Sequence, residues 1–152
     1  MMMQIYADTS VFGGYFDLEF EKWSRRLIDE FTAGSKIVAV SDLTLKELEN
    51  APLEVRELVK KIPEKYKRYL TLDDEAIKLA QHYIKNGAVN KSYLIDAQHI
   101  AVATVNRIDV LVSWNFKHIV NLSKIRLYNS VNLKYGYPLL EIRSPLEVSN
   151  EK

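Results

Sequence analysis

The sequence predicts an α/β protein in three layers, helices packed on both faces of a central parallel sheet. Three short strands, at residues 4–7, 37–40 and 109–112, alternate with helical patterns, and that alternation is the signature of βαβ units with right-handed crossovers. The strands are apolar at successive positions, as expected when both faces of a parallel sheet are covered. Each also ends in polar residues at its carboxyl side, where open α/β sheets place their ligands.

At the amino end, Ile5-Tyr6-Ala7 stops abruptly in Asp8-Thr9-Ser10 and opens into Gly13-Gly14. Phe20, Trp23, Leu27, Ile28 and Phe31 then recur at helical spacing until Gly34 stops the helix. After the second strand, Ser41 or Thr44 is placed to cap a helix carrying Leu45 and Leu48 and, beyond Pro52, Val55, Leu58 and Val59. A surface helix over 73–86 turns Ala76, Ile77, Ala80 and Ile84 to one face. Asp73, Asp74 and Glu75 complement its dipole at the start, and Asn86-Gly87 ends it. The pattern over 93–107 differs, because Leu94, Ile95, Ala97, Ile100, Ala101, Val102, Ala103 and Val105 cover nearly the whole circumference. Such a helix is expected to be buried. The third strand ends in Ser113-Trp114-Asn115, and further short strands are expected at 126–128 and 140–142.

Composition narrows the function. A chain of 152 residues, 47% hydrophobic, can fill one core, so a single domain over 1–152 is expected. The 21 basic residues nearly cancel the 20 acidic ones, so no global field draws the chain to nucleic acid and any such contact must come from a local patch. The absence of cysteine excludes disulfides, thiolate nucleophiles and zinc-thiolate sites. The start, Met1-Met2-Met3-Gln4, lacks the features of a secretion signal, and the longest apolar stretch, 97–105, is broken by Gln98, His99 and Thr104. A membrane helix needs roughly 20 apolar residues; a soluble, cytoplasmic protein is expected.

Four polar residues occupy places where an apolar one would be easier. Asp8 ends the first strand, Glu47 lies between Leu45 and Leu48, Asp96 lies in the first turn of the buried helix, and Asn115 comes just after the third strand. All lie near strand ends, which share one edge in a parallel sheet, so they can converge on one cavity. Clustered carboxylates repel and raise one another's pKa unless a cation is present, and hard divalent ions prefer such oxygens. Each residue also has a purely structural reading. Asp8 can form an Asx-turn or a cap, Glu47 can be solvated, Asp96 can serve a helix start after a Ser92 cap, and Asn115 can form a turn. His99, three residues beyond Asp96 on the same face, reads as a core histidine or as a ligand.

Taken together, IYADTSVFGG at 5–14, LTLKEL at 43–48 and IDAQHIAVATVNRIDVLVSWNF at 95–116 resemble PIN domains, in particular VapC-like toxins of prokaryotic toxin–antitoxin pairs. The resemblance spans nearly the whole chain and implies a PIN-like fold with an acidic, Mg²⁺- or Mn²⁺-dependent endoribonuclease site that leaves a 5′-phosphate. By that resemblance Asp8, Glu47 and Asp96 are the metal-binding acids, and Ser113 is the hydroxyl residue preceding the last acidic position. The chain departs from the family at Asn115, where an aspartate is common, which puts a second ion in doubt. An RNA substrate, a small antitoxin and a homodimer are implied as partners. Lys117, His118, Tyr15 and Trp114 are candidates for RNA contact, and Phe12, Tyr15, Phe16 and Trp23 for an apolar partner surface or for core.

A phosphatase of the haloacid dehalogenase type is disfavoured, because Ser10 stands where its second acid is needed. No glycine-rich G-x-G-x-x-G turn or G-K-S/T loop supports nucleotide-cofactor binding. The rival class is a PIN-like module that binds RNA or protein and has weak or lost nuclease activity, a reading Asn115 keeps open.

Overall fold

The computed structural model of the protein describes residues 2–149. Strands β1 (Gln4–Ala7), β2 (Ile37–Ser41), β3 (Lys67–Leu70), β4 (Val110–Val112) and β5 (Glu141–Arg143) form a parallel sheet in the order β3-β2-β1-β4-β5. Between them run helices α1 (Thr9–Gly14), α2 (Glu21–Ala33), α3 (Asp42–Leu48), α4 (Leu53–Lys61), α5 (Asp74–Lys85), α6 (Leu94–Val105) and α7 (Leu122–Lys134).

The strand period of two divides the interior into two cores. Ile5 and Ala7 of β1 face a cluster built from α1, α2 and α4, with Phe12, Leu27, Phe31 and Val59. Tyr6 faces the opposite cluster, with Leu79, Ala97, Ile100 and Tyr128 from α5, α6 and α7. These are the three layers expected. From β1 the chain steps outward to β2 and β3, then returns so that β4 pairs with the other side of β1. The strand order reverses there, and such a switch point is where ligands bind in these sheets. Ala7 pairs with Val112, so the next residues, Asp8 and Ser113, emerge side by side.

Several elements depart from expectation. Residues 126–128 are not a strand but lie inside α7. Leu122, Ile125, Tyr128 and Val131 recur at helical spacing, and the Asn121 side chain caps the start by accepting from Lys124 N–H, so Arg126-Leu127-Tyr128 continues a capped helix. Strand β5 begins one residue later than expected. Strand β3 has no apolar signal in the sequence, because Lys-Arg-Tyr-Leu is polar; it is an edge strand, partly open to solvent, and needs no continuous apolar run. The helical pattern after Ser41 is two helices, α3 and α4, with Pro52 at the N-cap of the second. Helix α6 is buried from Ala97 through Thr104 apart from half-buried Gln98, but its first turn projects, leaving Leu94 36% and Ile95 46% exposed. Asn90, not Ser92, caps the 3-10 turn that leads into it. Gly34 does end α2, in a left-handed conformation with φ +83° and with the Tyr66 ring against it. Among the described residues no helix is long and apolar enough to cross a membrane.

The two adjacent glycines of α1 play different parts. A Cβ at Gly14 would lie 2.6 Å from Ser24 Oγ and 2.7 Å from Trp114 Nε1, whereas one at Gly13 would meet nothing within 4 Å. Gly14→Ala is therefore expected to lower stability by about 1–3 kcal/mol through overpacking. Gly13→Ala is expected to raise it by about 0.5–1 kcal/mol, since alanine is the better helix former. Urea-unfolding midpoints of the two variants, shifting in opposite directions, check this.

Candidate active site

Asp8 leaves β1 in extended conformation and caps α1, its Oδ1 accepting the Ser10 N–H at 3.1 Å and the Ser10 hydroxyl at 2.5 Å. Oδ2 accepts the Ser113 hydroxyl at 2.6 Å. The two serines tie down the far side as well: Ser113 Oγ accepts Asn115 N–H at 2.9 Å, and Ser10 Oγ accepts Trp114 N–H at 2.9 Å. The cap and the site are thus the same carboxylate. A side chain only 6% exposed keeps its acid because every oxygen has a donor.

Asn115 carries this bracing onward. Its Oδ1 accepts backbone N–H groups from Lys117 at 3.2 Å and His118 at 3.0 Å, which assigns the amide orientation, since both partners only donate. The remaining Nδ2 donates to Asp96 Oδ2 at 3.4 Å. Asn115 is therefore a turn-former and, at its other end, a donor to the acid of α6. An aspartate here would instead add a second negative charge beside Asp96.

Glu47, on α3, turns towards a histidine. Its Oε1 takes His99 Nε2 at 2.7 Å and the Thr9 hydroxyl at 2.8 Å. The other ring nitrogen of His99, Nδ1, lies 2.6 Å from the Tyr6 hydroxyl, which is 2.7 Å from Ser41 Oγ.

Electrostatics place the three acids in one neighbourhood. Burial pushes the Asp8 pKa above the ordinary aspartate value and the Glu47 charge adds to this, while the cationic form of His99 and the two serine donors oppose it. Burial also raises Asp96, with His99 and His118 opposing and Asp8 and Glu47 adding. Burial would raise Glu47 too, but the His99 hydrogen bond and charge and the Thr9 hydroxyl outweigh it, leaving Glu47 below the ordinary glutamate value. Two acids whose ionised form is disfavoured are what a bound cation relieves.

Among the described residues no three histidine or carboxylate side chains close into a group that could hold an ion. Mg²⁺ keeps several waters and commonly takes only one or two protein carboxylates; Asp8 and Asp96 are the two acids that the Ser113–Asn115 hydrogen bonds connect.

The remaining candidates sort by burial. Trp114 stacks on Phe20 at 4.3 Å and donates its indole N–H to Ser24 Oγ at 2.8 Å, so it is braced into the fold. Phe12 is core, and Trp23 and Tyr15 are half-buried. Lys117 is exposed beside Phe116, and His118 stacks on Tyr93 at 3.6 Å. Sequence reasoning missed Thr9 and Tyr6, and used Ser10 and Ser41 only for other purposes. A signal existed for Tyr6: it shares a strand face with Asp8 by the period of two, and a buried phenol needs a polar partner.

No protein-family model matches the chain, and no curated protein matches it in sequence. In three dimensions it is similar to VapC20 of Mycobacterium tuberculosis, a sarcin-ricin loop cleaving toxin, with TM-score 0.56 and 17% identity over 75% of this chain and 92% of that one. It is also similar to VapBC2 of Rickettsia felis, solved bound to a DNA fragment from the promoter, with TM-score 0.56 and 14% identity over 93% of this chain and 98% of that one. These likenesses show the fold: the chain has the PIN-like α/β architecture of those proteins.

The raised Asp8 pKa has a definite sign in stability. The unfolded chain ionises this acid more readily than the folded one, so its penalty is absent below the ordinary aspartate pKa and grows as pH rises towards the folded value. Asp8→Asn is therefore expected to melt above the wild type at pH 7 without added metal, and the difference to close on acidification. Thermal melts of both proteins across that pH range check it.

Proposed function

We propose that the protein is a metal-dependent endoribonuclease that hydrolyses RNA phosphodiester bonds, acting in the cytoplasm as the toxin of a toxin–antitoxin pair. The observation that carries this reading is the hydrogen-bonded run Asp8–Ser113–Asn115–Asp96, which braces two acids at the switch point of the sheet. The PIN-like fold supports it, as do the two structural neighbours, one a sarcin-ricin loop cleaving toxin.

In this mechanism Asp8 and Asp96 would hold the principal ion, and a Mg²⁺ or Mn²⁺ bound there would supply charge shielding of the phosphate and activation of water for in-line displacement. Ser10 and Ser113 aim Asp8 and favour its charged form against burial by donating to both its oxygens. Asn115 steadies Asp96. Glu47, its side chain 40% exposed and its pKa held low, is ionised at neutral pH and orients the attacking water. Exposed Lys117 and Phe116 stand beside the Ser113–Asn115 turn, where a phosphate and a base of single-stranded RNA would be met. A small antitoxin that covers the acids, and a homodimer, complete the reading.

The second reading, a PIN-like module that binds without cutting, draws on Asn115, which gives Asp96 a hydrogen bond in place of a further carboxylate. The two separate on metal. With Mn²⁺ or Mg²⁺, purified protein is expected to cut mixed RNA, and a chelator to stop it. Asp8→Asn and Asp96→Asn are expected to lose more than about 100-fold in rate while remaining folded, and Ser113→Ala, which only supports Asp8, about 10–100-fold. Full activity in either aspartate variant refutes the assignment. Absence both of cleavage and of Mn²⁺-dependent thermal stabilisation sensitive to Asp8→Asn favours the binding module.

A further inference from the structure

We propose that His99 is a positioning residue of this site, locked by Tyr6 and Ser41 in its Nε2–H form so that it holds the Glu47 carboxylate against Thr9, facing the attacking water. The water-orienting part rests on the nuclease reading above; the lock itself does not.

The geometry carries the inference. A core histidine of purely structural role is satisfied by buried partners. His99 is 3% exposed in its side chain, yet its Nε2 is spent on a glutamate that is 40% exposed. The ring bridges the buried core and the open acid site. Behind it, Tyr6 is wholly buried in β1, its ring edge-on to the imidazole at 5.6 Å, and Ser41 is wholly buried at the end of β2. The contacts run unbroken: Ser41 Oγ to Tyr6 Oη at 2.7 Å, Tyr6 Oη to His99 Nδ1 at 2.6 Å, His99 Nε2 to Glu47 Oε1 at 2.7 Å, and Thr9 Oγ1 to the same oxygen at 2.8 Å.

Chemistry assigns the hydrogens. An ionised carboxylate only accepts, so Nε2 must carry the hydrogen that points at Glu47. In the neutral ring Nδ1 is then the acceptor, and the Tyr6 hydroxyl supplies its hydrogen there. Burial raises the Tyr6 pKa, keeping the phenol protonated and fit for that donation. Ser41 in turn donates to the phenol oxygen while accepting Thr44 N–H at 3.4 Å, which caps α3. The bond at one ring nitrogen thereby sets what the other presents, as it does where an outer partner orients a histidine. The same serine that starts α3 ends the relay that grips a side chain farther along that helix. An exposed glutamate would otherwise sample several rotamers; this one is tied from two sides.

The test is the ring nitrogen spectrum of ¹⁵N-histidine-labelled protein at neutral pH, with His99 assigned by the signal lost in His99→Gln. The wild type is expected to show the Nε2–H form, and Tyr6→Phe, which keeps the ring but removes the hydroxyl, a mixture of both forms. In RNA cleavage, Tyr6→Phe is expected to lower kcat about 10-fold with KM unchanged. His99→Gln, whose amide can still donate to Glu47, is expected to retain most activity that His99→Leu loses. Any other form of the wild-type ring, an unchanged ring in Tyr6→Phe, or wild-type kcat in His99→Leu overturns the proposal. Should the wild type cut no RNA, the nuclease reading fails, while the ring spectra still decide whether Tyr6 sets the His99–Glu47 contact.

Discussion

The pairing of Ala7 with Val112 across β1 and β4 is the constraint on which the rest of the site depends. Two strands distant in sequence but adjacent in the sheet release their next residues at the same height, and those residues are Asp8 and Ser113. The pairing continues past the strand ends, with Asp8 N–H donating to Val112 C=O at 3.3 Å and the Ser113 hydroxyl donating to Asp8. From this junction Asp8 starts α1 as its cap, and Ser113 starts the turn that brings Asn115 to Asp96. A register shift of one residue would carry Asp8, together with Tyr6, to the opposite face and out of line with Ser113.

Hydrogen-bond donors divide the labour of holding the acids. Three acids close enough to feel one another's charge repel, and burial adds to the cost of ionising Asp8 and Asp96. The fold answers with a separate set of donors for each: two serine hydroxyls and a backbone N–H for Asp8, an amide for Asp96, an imidazole and a threonine hydroxyl for Glu47. Only Glu47 is brought below its ordinary pKa, because it alone combines a donor from a titratable ring with partial exposure to water. The imbalance leaves Asp8 and Asp96 as the pair with most to gain from a cation.

Much of this was legible in the chain. Apolar strands that end in Asp8, Ser41 and Ser113, the stop at Gly34, and the apolar period of α6 are local features, and local features survive folding when packing agrees with them. The errors have two causes. Residues 126–128 belong to a longer helical stretch with a local cap at Asn121, which a wider window of sequence contains. Strand β3 is polar because it lies at an edge, and Leu94 and Ile95 stay exposed because α6 enters the core one turn after it begins. For these two the deciding fact was where in the fold an element sits, which no window of sequence contains.

By itself the sequence determined that this is a three-layer α/β protein with Asp8, Glu47, Asp96, Ser113 and Asn115 near strand ends, because periodicity and strand termination are properties of neighbours along the chain. Tertiary structure alone decided which of those groups touch. It joined Asp8 to Ser113 through strand register, turned Glu47 towards His99, with no three acids closing into one group among the described residues, and made Asn115 a donor to Asp96. The reason is geometric: hydrogen bonds of about 2.6–3.4 Å between residues 19 to 105 apart depend on crossovers and helix packing, and those are set by the whole core at once.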